Sequence, residues 1–241
     1  MRIAQISDIH AKSGGKSLVT LRRAVDWLAV AQPDALIVSG DVANPPWVDE
    51  YRAVAQILRP IKCPILMVPG NNDDRGQMRA AFPDLGWSGE ADRLNISRLV
   101  GDVRLVGLDV QVPGQGYGDA GPALDWLRDQ LDGGEPVLLF LHQHPFRTGF
   151  PRVDKNLCRS AEALADVILA GSARVMLVTT GHGHRTVFTQ FAGVPAMMCP
   201  SITKANLLEF DGAAAPLDDA PGFALHLVED GRLMTHIVTL D

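Results

Sequence analysis

The chain has 241 residues, 22 basic and 28 acidic, for a net charge of −6, a balance that excludes a broad basic footprint for nucleic acid or anionic lipid. This length fits one large α/β domain, read as residues 1–241, and is enough to bury a sizeable core. Three widely spaced cysteines, Cys63, Cys158 and Cys199, suggest no disulfide framework or CxxC site. The start of the chain lacks the basic and apolar regions of a signal peptide and no apolar run approaches a membrane span, so a cytoplasmic protein without a membrane partner is expected.

Arg2 to Ile6 is short and β-prone, and it runs into Ser7-Asp8-Ile9-His10. If the chain stays close to extended, Asp8 and His10 project to the same side and converge on one ion. Leu18, Leu21, Val25 and Leu28 repeat at helical spacing, with Arg22, Arg23 and Asp26 on the wet side. Ala35 to Val38 is an apolar run of central-strand type, followed by Ser39-Gly40-Asp41. A helix is expected over about 48–58. A third apolar run, Ile65 to Val68, ends in Pro69-Gly70-Asn71-Asn72-Asp73-Asp74, which also reads as a turn.

Leu94 to Leu99 and Val103 to Val110 form an expected antiparallel pair around Gly101-Asp102, and the glycine-rich stretch 114–121 lacks the Gly-Lys-Ser/Thr ending of a phosphate-cradling loop. A helix over 122–131 buries Leu124, Leu127 and Leu131, with Trp126 assisting. Val137 to Leu141 is another buried strand and delivers His142-Gln143-His144-Pro145. A helix over about 158–169 precedes the strand Val175 to Val178, which feeds Thr180-Gly181-His182-Gly183-His184-Arg185. There Gly181 and Gly183 are expected to let the backbone turn, so that both imidazoles enter one crevice. The alternating tail, with runs at 187–191 and 223–228 and a turn at 229–231, is expected to form a second, mostly antiparallel sheet. His226 and His236 fall in it and are given structural or solvent-facing roles; 213–216 with Asp218 and Asp219 reads as a surface loop.

Asp8, His10, Asp41, Asn71, His142, His182 and His184 each lie just after an apolar strand, where open α/β sheets place their sites. In this order the motifs resemble those of the calcineurin-like metallophosphoesterases: Asp-x-His, Gly-Asp, Gly-Asn-His-Asp/Glu, a His and Gly-His-x-His. Pro200-Ser201 and Pro221-Gly222-Phe223 look like the subgroup of class III cyclic-nucleotide phosphodiesterases and glycerophosphodiesterases. The resemblance implies a two-layer β-sandwich flanked by helices. It implies one metal on Asp8, His10, Asp41 and His184, another on Asp41, Asn71, His142 and His182, and Asp41 as the bridge. A hydroxide held between the ions would be the nucleophile. The mixed oxygen and nitrogen donors suit manganese, iron, cobalt or zinc.

One position departs from the pattern, because Asn72 stands where the family has histidine. An amide donates hydrogen bonds but is no general acid near neutral pH, so metal binding and attack are expected to survive while assistance to the leaving group weakens. Asn72, His144 and Arg185 are the candidates for substrate contact. The expected activity is hydrolysis of a small phosphodiester, a 3',5'-cyclic nucleotide among the options. A phosphomonoesterase, a nucleotide pyrophosphatase and a non-catalytic interaction scaffold remain as alternatives, and self-association is left open.

Overall fold

Each central strand is apolar on both faces, so each sheet needs helices on one side and a second sheet on the other. The computed structural model describes residues 1–88, 92–206, 209–210, 213–214 and 219–240. In chain order the elements begin with β1 (Arg2–Ile6), α1 (Lys16–Ala31), β2 (Ala35–Ser39), α2 (Val48–Leu58), β3 (Ile65–Val68) and α3 (Arg75–Ala81). The middle of the chain holds β4 (Ile96–Val100), β5 (Val103–Leu108), β6 (Gly118–Asp119), α4 (Leu124–Leu131), β7 (Val137–Leu141), α5 (Pro151–Asp154), β8 (Cys158–Arg159), α6 (Ala161–Ala170) and β9 (Val175–Thr180). The tail adds β10 (Val187–Phe191), β11 (Val194–Met198), the short pair β12 (Glu209–Phe210) and β13 (Ala213–Ala214), and the hairpin β14 (Gly222–Glu229) and β15 (Arg232–Thr239).

One sheet runs in the order β15-β14-β1-β2-β3, the other β10-β11-β9-β7-β5-β4. Ile3, Ile37 and Leu66 of the first meet Leu138, Phe140 and Leu177 of the second in the inter-sheet core. On the outer face of the first sheet, Ala4, Ile6, Leu36 and Val38 pack against Leu21, Val25, Tyr51 and Val54 of α1 and α2. Val106, Leu139 and Val178 do the same against Leu127 of α4 and Leu164 of α6. This is the helix-flanked two-layer sandwich expected above. No helix among the described residues is long and apolar enough to cross a membrane.

Three expectations need correction. The tail is not a separate antiparallel sheet: β14 pairs antiparallel with β1, while β11 pairs parallel with β9, so each hairpin extends a different main sheet. Alternation tells which face of a strand is buried, not which strand lies beside it. Helix α6 starts at Ala161 rather than near 158, because Cys158 and Arg159 pair with Gly118 and Asp119. The expected turn at Asn-Asn-Asp-Asp is present, and its last residue starts α3, the Asp74 side chain accepting from Gln77 N as the N-cap. Of the expected loop at 213–216 with 218–219, Ala213 and Ala214 form β13, and 215–218 lie outside the described residues.

A polar crosslink runs through the apolar layer. Gln5 is buried, and its Oε1 accepts from Thr179 Oγ1 at 2.7 Å and His226 Nε2 at 3.0 Å, while its Nε2 donates to Ser39 Oγ at 2.9 Å. His226 Nε2 therefore carries the proton, Nδ1 accepts from Thr235 Oγ1, and burial holds the ring neutral, with its pKa pushed down to about 4. Gln5→Leu keeps the volume and strands these donors between the sheets. We expect a loss of about 2–4 kcal/mol in denaturant unfolding; a loss below about 0.5 kcal/mol would contradict the crosslink.

Candidate metal centre

The ends of β1, β2, β7 and β9 bring carboxylates and imidazoles into one buried cluster. His184 Nε2 lies 3.2 Å from Asp8 Oδ1, and His10 Nε2 lies 3.4 Å from Asp41 Oδ2. His142 Nε2 is 3.4 Å from Asp41 Oδ1, and the His182 ring stands edge-on to His142, with centroids 5.1 Å apart. Asp8, His10 and His184 form one group that could hold a cation, and Asp8, Asp41 and His142 another. Asn71 follows β3 between Gly70 and Asn72, both of which meet Asp41, and its Oδ1 is buried.

The backbone does not reach this convergence by staying extended. Asp8, His10, Asp41, His182 and His184 all have left-handed φ, between 46° and 73°. That region is unfavourable for residues with a Cβ. Here it is held by pairing that continues past the strands: Asp8 N donates to Gly40 O, His10 N to Asp41 O and Ala11 N to Val42 O, at 2.9 to 3.0 Å. The expectation for Gly181 and Gly183 is therefore corrected, since the histidines beside them, not the glycines, take the left-handed turns. Gly181 is needed for close approach: a Cβ there would overlap Ser7 Oγ and lie 2.7 Å from Asp8 Oδ2, and one on Gly70 would overlap Asp41 Oδ1.

Three of the imidazoles are oriented by their outer nitrogens. Nδ1 of His10 donates to Asn44 Oδ1 at 2.9 Å, that of His142 to Ser39 O at 2.8 Å, and that of His184 to Lys204 O at 3.2 Å. With Nδ1 so engaged, each ring turns its Nε2 inward, as histidines that ligate metals do. His10 Nε2 and His184 Nε2 lie 3.0 Å apart, two acceptors that only a proton or a metal cation can reconcile. Nε2 of His142 and Oδ1 of Asn71 are buried with no hydrogen-bond partner. This donor set fits a metal centre.

Charges are tuned to match. Burial would raise the Asp8 carboxyl, but His184 and His142 outweigh it and hold its pKa down at about 2. Burial is likewise outweighed at Asp41, which His142 and His10 hold well below the usual carboxylate range. His142 rises to about 9 because Asp41 and Asp8 more than offset its burial, and His184 rises for the same reason beside Asp8. His182 falls to about 3 through burial and the neighbouring His142 and His144.

Asn72 fixes Asp41. Its backbone N donates to Asp41 Oδ1 at 2.8 Å and its Nδ2 to Oδ2 at 2.7 Å, while Trp47 Nε1 donates to Asn72 O at 2.7 Å. His144 is buried against His182 and Phe146, with Asp154 Oδ1 3.5 Å from its Nε2. Arg185 donates to Asn206 O at 2.6 Å and pairs with Asp219, so its guanidinium is tied to the segment beyond β11. Several residues support the site in roles that the sequence did not assign to them. The buried Asp73 carboxylate gathers Val42 N, Ala43 N, Gly70 N and Tyr51 Oη at 2.8 to 3.1 Å. Gln111 Nε2 reaches across from the second sheet to Gly70 O and Asp73 O, both at 2.6 Å, and Arg75 forks onto Asp109 at 2.6 and 2.8 Å. Asp73, five residues past the end of β3, stands at the acidic end of the Gly-Asn-His-Asp/Glu pattern, whereas nothing in the sequence marks Gln111.

The family model described as calcineurin-like phosphoesterase matches residues 1–185. A probable glycerophosphodiester phosphodiesterase of Arcobacter nitrofigilis is 29% identical over 252 residues, covering 98% of this chain and 92% of its own. A 3',5'-cyclic adenosine monophosphate phosphodiesterase of Escherichia coli is 29% identical over 254 residues, covering 98% and 89%. The crystal structure of a dimetal phosphatase from Danio rerio superimposes with a TM-score of 0.73 at 15% identity, over 100% of this chain and 99% of that one, and it shares the fold. The strand order, the motifs at the strand ends and the family match agree: the chain belongs to the calcineurin-like phosphoesterase family.

Proposed function

We propose that this protein hydrolyses small phosphodiesters at a two-metal centre in which Asp8, His10, Asp41 and His184 hold one ion, Asp41, Asn71, His142 and His182 hold the other, and Asp41 is shared. The observation that carries the reading is the inward-facing donor set: the Nε2 atoms of His10 and His184 facing each other at 3.0 Å, and Nε2 of His142 and Oδ1 of Asn71, both buried without a hydrogen-bond partner. Nitrogen and oxygen donors without thiolate fit manganese, iron, cobalt or zinc. Two bound cations would supply charge for the phosphoryl oxygens and lower the pKa of an attacking water. The chain's own part is to hold the carboxylates ionised, aim the imidazoles and leave the centre positive enough to draw in a phosphate ester. The relatives named as phosphodiesterases support the diester. So does Asn72: its amide is committed to Asp41, and it can neither protonate a leaving oxygen nor meet the second negative charge of a monoester.

Protein reconstituted with Mn²⁺ should hold about two ions per chain and cleave diesters with kcat/KM at least about tenfold above that on matched monoesters. Asp41→Asn should lower metal content and cut diester turnover by about 10²-fold or more. A variant that kept both ions and normal turnover, or a wild type that preferred monoesters, would overturn the reading.

Metal uptake should also depend on pH. A protonated His142 or His184 cannot donate its lone pair to a cation, and both are held protonated to higher pH than an ordinary imidazole, His142 to about 9. Affinity therefore rises with pH between 7 and 9, by up to about tenfold per unit for each proton displaced, while Asp8 stays ionised throughout. Calorimetry in buffers of different ionisation heat measures both affinity and proton release. Affinity that is flat over this range, with no protons released, would contradict the assignment of these two histidines.

A further inference from the structure

A cavity of about 430 Å³ opens beside Asn71 and Asn72, between the residues that precede α2 and the turn at Pro113-Gly114. Much of its polar lining is already committed to internal bonds. The Asn72 amide nitrogen is on Asp41, and the Asn72 carbonyl takes the Trp47 N–H. Gln111 Nε2 serves Gly70 O and Asp73 O, and Arg75 is spent through Nε and Nη2 on Asp109 and Gln111 O. What the space chiefly offers is flat and apolar: the half-buried Trp47 indole and the exposed rings of Pro45 and Pro113. A polyol gains little there, because its hydroxyls lose water against apolar walls. A flat ring gains a face to stack on, and Arg75 and the acidic Asp74 line the same space.

We propose that this cavity receives one substituent of the diester and that Trp47 is the specificity residue, selecting a flat ring, a nucleobase or other aryl group, over a polyol such as glycerol. This rests on the diesterase reading above. Trp47 also bonds Asn72 O, so the test has to separate its face from its N–H. Trp47→Phe keeps a flat face and deletes the N–H; Trp47→Ala deletes both.

The substrates are thymidine 5'-methyl phosphate, 2-phenylethyl methyl phosphate and glycerol methyl phosphate, which share their second ester group and whose variable groups all leave as alcohols of ordinary acidity. Wild type should favour the ring-bearing diesters in kcat/KM by roughly tenfold or more, the size expected of one stacking contact. Trp47→Ala should erase that ratio and Trp47→Phe should keep most of it. A lead of the thymidine ester over the phenylethyl ester marks recognition of a nucleobase; equality of the two marks recognition of any aryl face. A ratio near one in wild type, or a parallel fall on all three esters in both variants, would overturn the proposal and reduce Trp47 to a support for Asn72. Calorimetric binding of thymidine 5'-monophosphate against glycerol 3-phosphate reads the same cavity without turnover. Tighter binding of the nucleotide in wild type, lost in Trp47→Ala, supports the proposal even if no diester is cleaved, an outcome that would contradict the proposed activity alone. Equal affinities would overturn the proposal.

Discussion

A carboxylate with almost no exposed surface must be surrounded by donors or positive charge, and Asp41, 2% exposed, sets this requirement for the whole site. His10 and His142 approach it from β1 and β7, and both the backbone and the side chain of Asn72 donate to it. These groups come from both sheets, so the sandwich has to form before the carboxylate is compensated. Gln5 and Gln111 lie across that same junction, one between β1 and β9 and the other between the β5 end and the β3 loop. The crosslinks that hold the sheets together also register the site.

Crowding explains the backbone around it. Asp8, His10, Asp41, His182 and His184 occupy left-handed conformations, each unfavourable by about 1 kcal/mol or more. The continued pairing of the loops after β1 and β2 offsets part of this, and the glycines at 70 and 181 remove the Cβ atoms that would collide with Asp41, Ser7 and Asp8. Strain gathered at five residues of one cluster is what a preorganised site looks like when its side chains must point where a relaxed strand end would not send them.

Much of this was legible in the chain. Continuous apolar runs identified the central strands because they are buried on both faces, and the polar residues that follow them are the ones the fold collects. The helical spacing of Leu18, Leu21, Val25 and Leu28 identified α1, and all four are buried. What was not legible depends on tertiary partners. Alternation in β10 and β14 gave their faces but not their sheets. The turn at Asn71 to Asp74 concealed the start of α3, since a capping aspartate and a turn aspartate look alike in sequence. The convergence of Asp8 with His10 was expected for the wrong reason, an extended chain, because the left-handed turns are imposed by pairing with the β2 loop. Trp47, Asp109 and Gln111 act through bonds to distant loops, and no local pattern announces such bonds.

The proposal that Asp41 is shared between two ions is tested most directly by anomalous scattering from crystals soaked in Mn²⁺. The account predicts two peaks about 3.5 to 4 Å apart, one beside Asp8, His10 and His184, the other beside Asn71, His142 and His182, with an Asp41 oxygen ligating both. A single peak, or two ions of which only one touches Asp41, would contradict it.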